Sequence, residues 1–262
     1  MAIFEDDTAV RIKEPGVFET EITDNWSING NPNGGYLMAI LAGAMMHDSD
    51  KRSTPIVTAN YIARCVPGPA EVHVEEISSS AQFNRYSASL IQDGREKIRA
   101  LATFTVEKTD CAINRYETGP PELEQPDLCV RIPVMPKFTL FENIDMRLDP
   151  ANAGWMQGKT ADISEQKGWV KFKESRAYDL LTLLLIADSI PPAIFASQGP
   201  KTWVPTIELS TNVRNMPSTE WLRFILRTRF VTCGLLEADG EVWDDNGGLV
   251  SFSRQIAQLR VI

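Results

Sequence analysis

Tyr36 to Met46 is an eleven-residue run without a charged side chain. Its Leu, Met and Ala are good helix formers. A helix that is apolar all round must be buried on most of its sides. At 1.5 Å per residue this one is about 16 Å long, too short to cross a bilayer. The chain must therefore cover it with protein. A second such stretch, LLTLLLIAD, falls in a segment that predicts a helix over Ala177–Ile190, ended by Pro191 and Pro192.

The two helices sit in the same order of elements. Strand-like residues over Val17–Ile28 precede the first, with a turn at Pro32-Asn33-Gly34-Gly35. Strand signals follow it at Ile56–Arg64, Ala70–Val74, Arg85–Gln92 and Ile98–Val106. Around the second helix the strand signals are Gly168–Lys173, Val204–Arg214, Leu222–Arg227 and Leu249–Ile262. Arg64-Cys65-Val66-Pro67 and Arg214-Asn215-Met216-Pro217 share the form R-x-x-P, each ending the first strand after its helix. Each is followed about 30 residues on by a polar turn ending in Gly, as repeats of one unit would be. Between the copies, six of the 16 prolines fall within Thr118–Pro150. Proline fixes φ and removes a donor, so this stretch reads as a crossover linker. The expected organisation is a unit over 1–112, a Pro-rich linker over 113–152 and a second unit over 153–262. The fold class is α+β, each half a buried helix wrapped by an antiparallel sheet. Accidental similarity within a generic α+β chain is the alternative.

The chain has 262 residues with 26 basic and 35 acidic side chains, a formal charge of −9. That gives no general affinity for nucleic acid, which needs clustered Lys and Arg. The N-terminus, MAIFEDDTAVRIKE, lacks the basic and apolar regions of a signal peptide. A cytoplasmic protein without membrane or nucleic-acid partners is expected. Cys65, Cys111, Cys129 and Cys233 form no CxxC pair and read as reduced thiols. With His47 and His73 the only histidines, no metal site is expected.

NPNGGYLMAILAGAMM, ADSIPPAIF, WVPTIELS and SFSRQIAQLR, in this order, resemble the double-hotdog acyl-CoA thioesterases of the thioesterase II type. The resemblance covers nearly the whole chain. It implies a tandem (double) hotdog and hydrolysis of an acyl-CoA thioester in the seam between halves. It also implies that an Asp on the second helix, a Thr opening the next strand and a Gln in the last strand hold the attacking water. Here those are Asp188, Thr206 and Gln255. No cofactor is implied, since coenzyme A is part of the substrate. A homo-oligomer is implied, as exposed sheet edges also suggest. The family often carries a basic or glycine-rich stretch in its first half; here Gln82-Phe83-Asn84-Arg85-Tyr86-Ser87 stands in its place.

The residues themselves support part of this. Asp188 closes an apolar run near a helix C-terminus, where burial and the helix dipole both disfavour an anion. Stability alone would not select it, although a solvated or Arg-paired Asp is the plain alternative. Matching the copies sets Ile98, Ala100, Ala102 and Phe104 beside Leu249, Ser251, Ser253 and Gln255. A face apolar in one copy is polar in the other, which marks a site or a merely solvated face. Thr206 shares a strand face by alternation with Glu208, Ser210 and Asn212, and periodicity alone does not select it. Gly34, Gly35 and Tyr36 open the first helix, where free N–H groups and the positive dipole end could hold a thioester oxyanion, or serve only as a turn. If helix N-terminus and acid face each other across the seam, Gly35 meets Asp188. Two other readings remain open: a non-catalytic hotdog that binds acyl-CoA or acyl-carrier thioesters, and an enoyl-CoA hydratase, for which His47-Asp48 is the one suggestive pair.

Overall fold

A computed structural model describes residues 3–107 and 113–261, apart from the side chains of Thr54, Pro55 and Val261. Cys111 and the end of the expected first unit lie outside the described residues. Thirteen strands follow one another across a single antiparallel sheet. In chain order they are β1 (Arg11–Glu14), β2 (Val17–Ile22), β3 (Ser53–Tyr61), β4 (Gly68–Ser79), β5 (Phe83–Gln92), β6 (Arg95–Thr105), β7 (Val130–Arg131), β8 (Ile144–Leu148), β9 (Ser164–Phe172), β10 (Thr206–Val213), β11 (Leu222–Thr228), β12 (Leu235–Asp244) and β13 (Leu249–Gln258). Two long helices, α1 (Gly34–His47) and α2 (Leu180–Ser189), lie in the middle, and a short one, α3 (Phe195–Gln198), follows α2.

The spatial order is β1-β2-β4-β5-β6-β3-β10-β13-β12-β11-β9-β8-β7. The repeat is visible in it. In the first half β2 leads to α1 and four strands follow the helix, the five standing in the order β2-β4-β5-β6-β3. The second half mirrors this as β9-β11-β12-β13-β10 around α2. The halves join where β3 pairs with β10, with Ala59 opposite Leu209 and Val57 opposite Thr211. The hydrogen-bonded ladder runs unbroken from β1 to β7, and the two helices pack on this sheet and against each other.

The apolar sequence of α1 explains its position: Tyr36 through Ala42 are all at least 96% buried. α2 is shorter than its periodic pattern. Asp179 caps it, accepting from the Thr182 N–H at 2.8 Å, while Thr182 Oγ1 accepts from Asp179 N at 2.7 Å. This capping box starts the helix at Leu180. Among the described residues no helix is long and apolar enough to cross a membrane.

The structure departs from sequence periodicity in three places. Strand β12 carried no separate signal, because Gly240 interrupts its alternation. Part of the Pro-rich stretch is regular structure: β8 pairs with β9 from Ile144–Phe172 to Leu148–Gly168. The six prolines leave residues 137–149 free, so every N–H of IDMRL can join the ladder. Finally, Thr206 does not share the face of Glu208. A β-bulge sets Thr206 opposite Ala257 while Glu208 stands opposite Ile256. Two residues then oppose one, and Thr206 turns to the inner face with Leu209.

Candidate active site

The N-terminus of α1 meets the last turn of α2 at the seam. Close approach is possible because Gly34 and Gly35 have no Cβ. A methyl on Gly35 would stand 2.9 Å from Asp188 Cβ and 3.0 Å from Leu185 Cα, and still closer to the Leu184 carbonyl oxygen. One on Gly34 would stand 2.8 Å from Asp188 Oδ2 and 2.9 Å from the Tyr61 hydroxyl. These glycines serve backbone approach, not unusual φ.

Asn33 organises this end of the helix. Its side-chain oxygen accepts from the Tyr36 N–H at 3.1 Å, as an N-cap does. Its amide nitrogen donates across the seam to the Asp188 carbonyl at 2.9 Å and to Asp188 Oδ2 at 3.1 Å. The Gly35 N–H donates to the same Oδ2 at 3.0 Å. One carboxylate oxygen is therefore fixed by the first half of the chain. The other faces the second half: Gln255 Nε2 donates to Asp188 Oδ1 at 3.2 Å and to Thr206 Oγ1 at 2.6 Å. Because the Gln255 amide is the donor in this contact, the Thr206 hydroxyl keeps its own proton to donate elsewhere.

Two opposing effects act on Asp188. Loss of hydration in the packed seam raises its carboxyl and donation from Gly35, Gly34 and Asn33 lowers it, and the balance stands at about 6. The positive end of α1 also favours the anion. The result is a carboxyl that titrates near neutrality on a residue still partly exposed. Beside it, the Tyr61 hydroxyl donates to the Gly34 carbonyl at 2.8 Å, and burial raises its phenol well above the ordinary range.

The structure thus brings Asp188, Thr206, Gln255, Gly34 and Gly35 together. Tyr36 it places elsewhere. Its ring is fully buried, and its hydroxyl donates to the Asp7 carbonyl at 2.8 Å and accepts from the Thr23 N–H at 3.1 Å. Its backbone N–H is taken by the Asn33 cap, so neither part of Tyr36 faces the carboxylate. Of the face compared between copies, Ile98, Ala100, Ala102 and Phe104 are core, while Ser251 and Ser253 are buried polar residues beside a partly exposed Gln255. Asn33 and Tyr61 were not selected by sequence. Asn33 carried a signal as a helix cap, but its reach across the seam depends on the docking of α2. The His47–Asp48 pair, 2.9 Å apart, is exposed at the far end of α1, about 20 Å along the helix from Gly34.

Models of the acyl-CoA thioesterase N-terminal and C-terminal domains match residues 22–105 and 117–259. A candidate thioesterase II from Thermobifida fusca is 25% identical, with a TM-score of 0.90 over 99% of this chain and 98% of its own. The acyl-CoA thioesterase II of Mycobacterium marinum is 14% identical, with a TM-score of 0.79 over 99% of each chain. A hotdog-fold protein from Alicyclobacillus acidocaldarius, 17% identical, has a TM-score of 0.88 over 99% of this chain and 98% of its own. An uncharacterized protein of Mycobacterium tuberculosis is 22% identical, spanning 93% of this chain and 91% of its own. The helix-and-sheet duplication is therefore a double hotdog, and the chain belongs to the acyl-CoA thioesterase family.

Proposed function

We propose that this chain hydrolyses an acyl-CoA thioester to a carboxylic acid and coenzyme A. The carrying observation is the shared hydrogen-bond set of Asp188, Thr206 and Gln255 at the mouth of α1. A water there can donate to Asp188 Oδ1 and accept from the Thr206 hydroxyl, with the Gln255 amide fixing both. Asp188 takes one water proton as the water oxygen bonds to the thioester carbon. Proton transfer weakens the hold of Asp188 on the Gly35 N–H. That N–H, with the positive end of α1, then lies beside the thioester oxygen as it gains charge. The intermediate collapses with cleavage of the C–S bond. The thiolate leaves with the proton held by Asp188, which restores the carboxylate. The roles of Gly34 and Gly35 are thus to hold the base first and to share in oxyanion stabilisation afterwards.

The test is free-thiol release from short, medium, long and aromatic acyl-CoA esters by wild type and Asp188→Asn. Turnover of one class, with a loss on the order of 10²-fold or more in the variant, supports both reaction and base. Binding without turnover across the whole panel moves the chain to the non-catalytic reading. Turnover that survives Asp188→Asn keeps the reaction and removes Asp188 from it.

A further inference from the structure

The inner face of the second half carries polar groups that the hydrolysis does not use. One row crosses the sheet from Thr211 on β10 through Ser253, Gly240 and Leu226 to Gln166 on β9. Gln166 is fully buried, and neither its amide oxygen nor its amide nitrogen has a partner. Thr228 Oγ1, on the same face of β11 two residues from Leu226, is buried and unpaired as well. α3 packs on β9, with Ser197 Oγ 2.7 Å from Ser164 Oγ, and the Phe195 ring lies tilted against Trp155 with centroids 5.4 Å apart. The Trp155 indole N–H is without an acceptor, and Asn152 Oδ1 is without a donor, while the Asn152 amide nitrogen donates to the Glu165 carbonyl of β9. Of eleven such buried atoms among the described residues, three are on Gln166 and Thr228 of this face, and two more are on Asn152 and Trp155, beside β9 and α3. A buried polar group left unpaired loses its hydration without replacement, so a cluster of them points to a ligand.

This end is connected to the candidate site. Gln255 stands opposite Ala238 on β12, and Ser253 opposite Gly240, so the inner face between β13 and β11 carries small side chains. From β13 to β9 is three strand spacings, about 14 Å. We propose that this face is a subsite for the acyl chain, and that Gln166 with Thr228 selects a chain bearing a neutral hydrogen-bonding group, foremost a hydroxyl, several carbons from the thioester. The proposal rests on the thioesterase reading above. Gln166 offers a donor and an acceptor side by side, as a hydroxyl requires. Its neighbours Ser164, Leu226 and Thr228 are uncharged, which disfavours an ionised substituent. A site built to bond a substrate hydroxyl discriminates strongly against the analogue lacking it, because its own polar groups then stay unpaired.

The experiment compares pairs of medium-chain acyl-CoA esters of equal length, with and without a hydroxyl placed along the distal half, on wild type, Gln166→Leu and Thr228→Val. Melting shifts with the corresponding free acids are measured alongside. Wild type is expected to favour one hydroxylated isomer by roughly 10-fold or more in kcat/KM. Gln166→Leu should lose that preference, the kcat/KM values of the hydroxylated and plain chains converging. The hydroxy acid should raise the melting temperature of wild type more than that of Gln166→Leu. Equal kcat/KM within every pair, or a preference unchanged in both variants, overturns the subsite and leaves the hydrolysis standing. If no ester is turned over, the hydrolytic reading fails. The melting shifts then decide the subsite alone: a wild-type-specific effect of the hydroxy acid supports it, and equal shifts overturn it. Should Gln166→Leu fail to fold, Thr228→Val carries both comparisons.

Discussion

The N–H of Gly35, in the first repeat, donates to Oδ2 of Asp188, in the second, over 3.0 Å. Neither half owns the site: α1 brings a positive helix end and α2 brings the carboxylate. Asp188 lies at the negative end of its own helix and at the positive end of its neighbour. The neighbour's amides offset what burial and the α2 dipole cost.

The pH dependence follows from this balance. With Asp188 held near 6, kcat/KM should rise about tenfold per pH unit below that value and level off above it. Asn33 donates to the charged form of Asp188, so Asn33→Ala should move the midpoint upward. A pH–rate profile of both proteins measures it, and an unmoved midpoint assigns Asn33 to helix capping only.

Stability should show the opposite trend. The folded carboxyl titrates near 6, above its ordinary value of 3.8. The native state therefore holds the proton more tightly than the unfolded chain. This contribution is full below about pH 4 and is lost as the pH rises through 6. Asp188→Asn should exceed wild type by about 1–3 kcal/mol at pH 8 and match it at pH 4. Urea melts at the two pH values give the comparison.

Gly35→Ala adds a methyl where Asp188 Cβ would stand 2.9 Å away and Leu185 Cα 3.0 Å away. Both neighbours are held by the α2 helix, so α1 and α2 must part. A loss of about 1–3 kcal/mol is expected, together with activity, since the Gly35 N–H moves off Asp188. Thermal denaturation and thiol release should fall together.

Gln255 and Thr206 should differ in weight. Gln255→Leu removes the donors to both Asp188 Oδ1 and Thr206 Oγ1, and should lower kcat by about 10²–10³-fold with little change in KM. Thr206→Val removes one hydroxyl and should cost less, about 10-fold. Steady-state kinetics of the two variants and the double variant test this, and the losses should not multiply.

Much of this architecture was legible in residue order. Two runs too apolar to face water and too short to cross a membrane required two wrapped helices, and the shared R-x-x-P positions exposed the repeat. The polar replacement of Phe104 by Gln255 and the cost of an Asp at the end of an apolar helix marked two candidate residues, which the structure sets 3.2 Å apart. Thr206 was hidden, because alternation counts faces correctly only while the register is unbroken, and the bulge before Glu208 breaks it. Tyr36 was placed in the site by its neighbours in sequence, yet helix geometry turns its ring to the opposite side, onto Asp7 and Thr23.

What the sequence determined by itself is local: which segments bury, which turn, and which copy carries polar groups. The tertiary structure decided where the copies touch. Joining β3 to β10 sets α1 against α2, and that contact makes Asn33, Gly35 and Tyr61 neighbours of Asp188 from more than 120 residues away. Hydrogen bonds over such separations leave no period in a sequence. They arise when two buried helices with no other apolar surface to cover are packed onto one sheet.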